Sequence, residues 1–208
     1  MVILSVVLDC RSACERGHCV ASDYKKAIHL LRFIHTTATI GRVFKSSSTQ
    51  IVAFSDASFA NHENGRSAGA FFLCVGPINA PFYSHAKILD SVSACPMTAE
   101  YITSNLCCKE FLHYRQFSSE LGWIPDSPTP FYMDSQTSIN LIIAPEISKK
   151  SRFLAVKHHF IRERVSEGDI QPIKLPSADQ RADSLTKIFS PSKMIANYRN
   201  LLNLDSLI

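Results

Sequence analysis

Four acidic residues, each in a short context of its own, carry the chemistry this chain offers: Asp56 in FSDASFA, Glu100 in MTAEYI, Asp134 in FYMDSQTSI and Asp183 in DQRADSLTK. A lone carboxylate at the end of a β-prone run, or beside an apolar helical stripe, is costly to bury unless positive charge offsets it. Divalent metal supplies such charge. Hard cations such as Mg²⁺ or Mn²⁺ take oxygen ligands, so carboxylates drawn from distant segments into one pocket are the expected construction. Two ions about 4 Å apart activate a water and stabilise the leaving oxygen of an in-line phosphoryl displacement. In that arrangement Asp56, fixed by a strand, bridges both ions, and Glu100, Asp134 and Asp183 complete the shells from helices or helix starts. Singly, each has a plainer reading: Asp134 as the N-cap of a helix, Asp183 as a surface residue, Glu100 as half of an ion pair. The order of all four, each on a suitable element, favours the joint reading.

The positioning elements follow from periodicity. An amphipathic helix is predicted over 22–35, with Ser22 or Asp23 as cap and Ala27, Leu30, Leu31 and Ile34 at helical spacing; a linker near 42–50 separates it from the main domain. Strands are predicted over 51–54, leading into Ser55 and Asp56, then over 69–75 and 81–86, as an antiparallel meander. Pro96 suits a first helical turn, and Met97, Tyr101, Ser104, Cys108 and Phe111 form a stripe with Glu100 at its edge. A strand over 131–133 ends at Asp134 and passes into a helix over 135–144, stopped by Pro145; side chains at the carboxyl end of such a strand face an open crevice. A basic helix over 153–167, a strand over 170–175 and a helix over 178–188 bearing Asp183 complete the set.

Length and composition allow one main domain. The 208 residues carry a formal net charge of +4, which permits a polyanionic partner without requiring one. Lys149, Lys150, Arg152, Lys157, Arg162 and Arg164, opposed in that stretch by Glu163, form either a solvated helix face or a phosphate-contacting surface. The seven cysteines show no framework spacing and read as reduced thiols of an intracellular protein. Cys10, Cys14, His18 and Cys19 raise the thought of zinc, but structural zinc sites favour two separated ligand pairs. The opening MVILSVVLDC carries Asp9 and no basic stretch before it, so neither a secretory signal nor a membrane span is expected.

Longer stretches carry a resemblance. FSDASFAN at Phe54 to Asn61 is similar to a motif like YSDADWAG, PMTAEY at Pro96 to Tyr101 to SSTEAEY, and YMDSQTSI at Tyr132 to Ile139 to YCDNQSAI. HHFIRERVSEGDI at His158 to Ile170 is similar to YHFIREKVESGEI, and LPSADQRADSLTKIF at Leu175 to Phe189 to VPTEDQLADIFTKPL. Taken together, these motifs resemble the ribonuclease H region of copia-type (Pseudoviridae) retrotransposon Pol polyproteins. The stretch DYKKAIHLLRFIHTTATIGRVF resembles the segment that ends the reverse transcriptase.

The resemblance implies an α/β, ribonuclease H-like fold: a mixed five-stranded sheet, three antiparallel strands then two parallel, flanked by helices. It divides the chain into a reverse-transcriptase thumb or connection remnant at 1–49, a ribonuclease H-like domain at 50–190 and a helical tail at 191–208. It implies an endonuclease using two Mg²⁺ or Mn²⁺ ions to cut the RNA strand of an RNA·DNA hybrid, with Asp56, Glu100, Asp134 and Asp183 as its acidic cluster. Ser135 and Gln136 would lie beside the hybrid backbone, and Lys157 and Arg162 would hold phosphates. The partners implied are the hybrid and a reverse transcriptase, in the cytoplasm or nucleus, with no membrane. The chain departs from the family where a KHID-like tetrad is replaced by Arg152, Phe153, Leu154 and Ala155, where tryptophan is replaced by Phe59, and where no histidine precedes Asp183. These departures, with no polymerase palm upstream, leave room for a truncated, catalytically silent module that binds nucleic acid or protein. An integrase- or transposase-like nuclease would share three of the carboxylates and is disfavoured by the ADSLTK segment.

Overall fold

The computed structural model describes residues 20–39, 41–44, 49–61, 65–76, 79–123, 127–145, 159–187, 199 and 201–202. Strands β1 (Ile51–Ser58), β2 (Ala68–Val75), β3 (Tyr83–Ile88), β4 (Thr129–Met133) and β5 (Ile170–Lys174) form one sheet in the order β3-β2-β1-β4-β5. β1 pairs antiparallel with β2, as β2 does with β3, and parallel with β4, as β4 does with β5. Three antiparallel strands followed by two parallel ones give the ribonuclease H-like arrangement that the motifs imply.

β1 is central, and its first six residues are buried along with most of β2, as near-continuous apolar runs covered on both faces should be. β3 lies at the edge and carries Ser84, His85 and Lys87, polar groups that blunt further strand pairing. One core lies between the sheet and three helices: α2 (Pro96–Glu120), α3 (Gln136–Ile143) and α4 (Phe160–Ser166). It joins Ala53, Phe71 and Phe131 to Tyr101, Phe111, Ile142 and Ile161. The opposite face buries Val52, Phe54, Phe72 and Cys74 against Ala182 and Leu201, next to the short helix α5 (Asp183–Thr186). An N-terminal helix, α1 (Ala21–Thr37), precedes the sheet.

Local chemistry sets the ends. Pro96 opens α2, where its missing N–H is not needed. Gly122, at φ +80°, closes it by donating to the carbonyl of Ser119 at 3.0 Å, a left-handed cap that glycine adopts without strain. In α1 the cap falls at Val20 rather than Ser22 or Asp23, with Asp23 reaching back to accept from the Val20 amide at 3.2 Å.

Several boundaries differ from expectation. β1 runs on to Ser58, because antiparallel pairing with β2 holds it past Phe54, and Asp56 therefore lies inside a strand. β3 begins at Tyr83 rather than 81. The helix predicted over 178–188 is broken into a 3₁₀ turn (Ser177–Asp179) and α5, since Gln180 adopts an extended backbone. Among the four cysteines that can be described, Cys74, Cys107 and Cys108 are buried and all are free thiols. The cysteine and histidine group at 10–19, the basic residues 149–157 and most of 191–208 lie outside the described residues.

Candidate metal centre

Strand alternation puts Val52, Phe54 and Asp56 on one face of β1. Phe54 stacks on Phe72 and on Tyr132, each with ring centroids 4.7 Å apart, which fixes the neighbouring strands against it. The parallel register pairs Phe54 with Tyr132, so two residues further on Asp134 stands beside Asp56. β4 has ended by then, and Asp134 sits where the chain leaves the sheet for α3. This is the switch point at which a strand's carboxyl end opens a crevice.

Glu100 arrives from α2. Gly69 lets that helix approach β2 closely: a Cβ there would stand 2.2 Å from Thr103 Oγ1. One turn beyond Glu100, the Ser104 hydroxyl donates to the Glu100 carbonyl at 2.8 Å and accepts from Ser55 Oγ at 3.1 Å, clamping helix to strand. Glu100 Oε1 then accepts from the Ala57 amide at 3.2 Å. Its other oxygen, Oε2, is buried with no hydrogen-bond partner among the described residues. One carboxylate oxygen each from Asp56, Glu100 and Asp134 lie within 4.8 Å of one another.

Asp56 is 1% exposed and Glu100 7%. Burial pushes both carboxyls well above the usual range, and the charges of neighbouring carboxylates add to it; for Asp56 the hydrogen bond from Thr186 works the other way. An all-oxygen donor set, mutual repulsion and an orphaned buried oxygen together fit a hard divalent cation.

Asp183 is not one of the three oxygen donors gathered within that distance. Its Oδ1 pairs with Lys187 Nζ at 2.6 Å, although Asp183 is near enough for its charge to raise the proton affinity of Asp56. Buried Gln180 fixes this segment on β1 by donating to the Ser55 carbonyl at 3.0 Å and accepting from the Ala182 amide at 3.2 Å. Arg181 covers the rings of Phe54 and Phe72 at 5.6 and 5.4 Å and donates to the Leu201 carbonyl at 2.8 Å. Thr186 donates its hydroxyl proton to Asp56 Oδ2.

The remaining expectations divide. Ser135 Oγ accepts from the Ser138 amide at 3.3 Å, so Ser135 caps α3 and the Asp134 carboxylate is left for other partners. Ser177 Oγ donates to Asp134 Oδ2 at 3.1 Å, and Lys174 Nζ to the Asp134 carbonyl. Gln136 is exposed and donates to Asn140 Oδ1 at 2.9 Å. Arg162 binds the Leu141 and Ala144 carbonyls at 2.7 and 2.5 Å, so its guanidinium completes the end of α3 rather than standing ready for a phosphate. Lys157 lies outside the described residues. Sequence reasoning missed Gln180, Thr186 and Lys187. Their one signal was membership in the motif that carries Asp183.

A sheet of this order, with carboxylates gathered where β1 and β4 open, is the mixed α/β arrangement expected from the motifs. No family model matches the chain. It is 26% identical over 164 residues, 79% of its length, to the retrovirus-related Pol polyprotein from transposon TNT 1-94 of Nicotiana tabacum. It is also 26% identical over 176 residues, 83% of its length, to that from transposon RE1 of Arabidopsis thaliana. The chain is thus similar in sequence to retrovirus-related Pol polyproteins of plant transposons, and it spans 12% of the length of each of these two. Among solved structures it is similar to LC11-RNase H1 isolated from compost, with 12% identity and a TM-score of 0.46 over 66% of this chain and 92% of that one.

Proposed function

We propose that this chain is a metal-dependent endonuclease of the ribonuclease H type, hydrolysing the RNA strand of an RNA·DNA hybrid. The observation that carries the reading is the buried Glu100 Oε2, without a partner among the described residues, set against Asp56 and Asp134. A buried charged acceptor left unsatisfied is expensive, and a divalent cation satisfies it. Asp56, Glu100 and Asp134 would hold one Mg²⁺ or Mn²⁺, and Asp183, released from Lys187, would help to hold a second. The ions would activate the attacking water and stabilise the leaving oxygen.

The chain's own groups orient this site. Thr186 holds the Asp56 carboxylate, Ser177 and Lys174 hold Asp134, and Ala57 holds one oxygen of Glu100. Exposed Gln136, at the start of α3 beside Asp134, would contact the nucleic-acid backbone, with Ser135 shaping the turn. Lys157, in the stretch that precedes α4, would contact a phosphate. The activity would serve the reverse-transcriptase portion of a Pol polyprotein, inside the cell in the cytoplasm or nucleus. Among the described residues no helix is long and apolar enough to cross a membrane.

A competing reading, a silent module that binds a hybrid or a protein without cutting, is favoured by one observation: Asp183 is engaged by Lys187. The separating experiment is incubation of purified protein and its Asp56→Asn variant with labelled hybrid in Mg²⁺ and in Mn²⁺. Cleavage of the RNA strand by the parent and not by the variant supports the nuclease. Binding without cleavage in either ion selects the silent module.

A further inference from the structure

We infer that Lys187 is a tethered cation competing with a divalent ion for the Asp183 side of the carboxylate cluster, so that taking up a second ion requires the Lys187–Asp183 pair to open. The inference rests on the metal reading and adds to it a residue that sets how tightly the second ion is held. Among the described residues, Lys187 is the cation paired with one of the four carboxylates, at 2.6 Å from Asp183 Oδ1. Lys174, the other lysine at the site, is bound to the backbone carbonyl of Asp134 rather than to its carboxylate. Arg181 is turned the other way, over Phe54 and Phe72.

The position of Lys187 follows from the chain. Asp183 and Lys187 are four residues apart across the single turn of α5, the spacing at which side chains meet. Thr186, next to Lys187, is tied to Asp56, so the backbone from which Lys187 extends is anchored to the strand that carries the cluster. Its charge reaches beyond Asp183 to Asp56, Glu100 and Asp134. The Lys187 side chain is 39% exposed while that of Asp183 is 18%, so the lysine stands on the solvent side of the pair and can swing outward without unpacking the sheet.

Charge counting gives the consequence. Asp56, Glu100 and Asp134 offer three negative charges to a first divalent ion. A second ion needs Asp183, whose charge Lys187 partly offsets and whose Oδ1 it already occupies. The first ion is therefore held more tightly than the second. Removing the ammonium should narrow the gap.

Titration calorimetry with Mn²⁺ tests this on the full chain, using the parent protein, Lys187→Met, which keeps the aliphatic stem, and Lys187→Gln, which keeps a donor toward Asp183 and guards the fold. Both neutral variants are expected to bind the weaker Mn²⁺ about tenfold more tightly, the effect of removing one charge a few ångströms away. Lys187→Arg, which retains the charge, is expected to bind like the parent. Equal affinities for the weaker ion in the parent and a folded neutral variant overturn the role assigned to Lys187 while leaving the metal centre standing. No uptake of Mn²⁺ by any of the proteins overturns the metal reading and this inference with it.

Discussion

The hydroxyl of Thr186 donates a hydrogen bond to Oδ2 of Asp56, joining α5 to the centre of β1 across 130 positions of sequence. Burial drives the Asp56 carboxyl toward its neutral form, and this bond favours the charged one. Thr186→Val keeps the shape and removes the donor. We expect it to destabilise the metal-free protein by about 1–3 kcal/mol, the cost of leaving a buried acceptor unsatisfied. Urea unfolding in EDTA measures this, and a loss below a few tenths of a kcal/mol would show that the contact carries no stability.

The raised proton affinities of Asp56 and Glu100 set the pH dependence of the metal-free protein. In the folded chain both carboxyls keep protons at pH values where an unfolded chain, titrating near pH 4, has lost them. The folded state then binds more protons, so stability falls as pH rises from about 4 through the raised values of this pair. Thermal melts in EDTA should show a lower midpoint at pH 8 than at pH 5.5, with the slope reduced in Asp56→Asn and in Glu100→Gln. Mg²⁺ should stabilise more at the higher pH, because ion binding requires ionised carboxylates. A metal-free midpoint insensitive to all three changes would contradict the burial of this pair.

Gly69 is the point at which α2 meets β2. A methyl group there would stand 2.2 Å from Thr103 Oγ1 and 3.1 Å from Leu89 Cδ2, with both neighbours in packed surroundings. Gly69→Ala should cost about 1–3 kcal/mol through overpacking. It should also weaken Mn²⁺ binding, since the helix it displaces carries Glu100. Unchanged unfolding and calorimetry would show that the helix yields freely.

Much of this architecture was legible in the residues. Asp56, Glu100 and Asp134 stood out because each is polar in an otherwise apolar, periodic context, and the structure brings those three together. The sheet order followed from a resemblance carried by several motifs and was not deducible from periodicity alone. The extent of β1 was hidden because the apolar run ends at Phe54 and polar Ser55, Asp56 and Ser58 follow; pairing with β2 carries the strand on through them. Arg162 looked like a phosphate contact because its stretch is basic, whereas its guanidinium is engaged by the last carbonyls of α3, a tertiary contact that charge patterning does not encode. Gln180 was invisible for the same reason: its role is a hydrogen bond to Ser55, 125 positions away.

The most direct test of the central claim is a crystal structure of the purified chain soaked in Mn²⁺, read by anomalous scattering. The expected result is a peak coordinated jointly by the carboxylates of Asp56, Glu100 and Asp134, with a weaker one toward Asp183. A saturating soak in which those three carboxylates keep their positions and no anomalous density lies between them would contradict it.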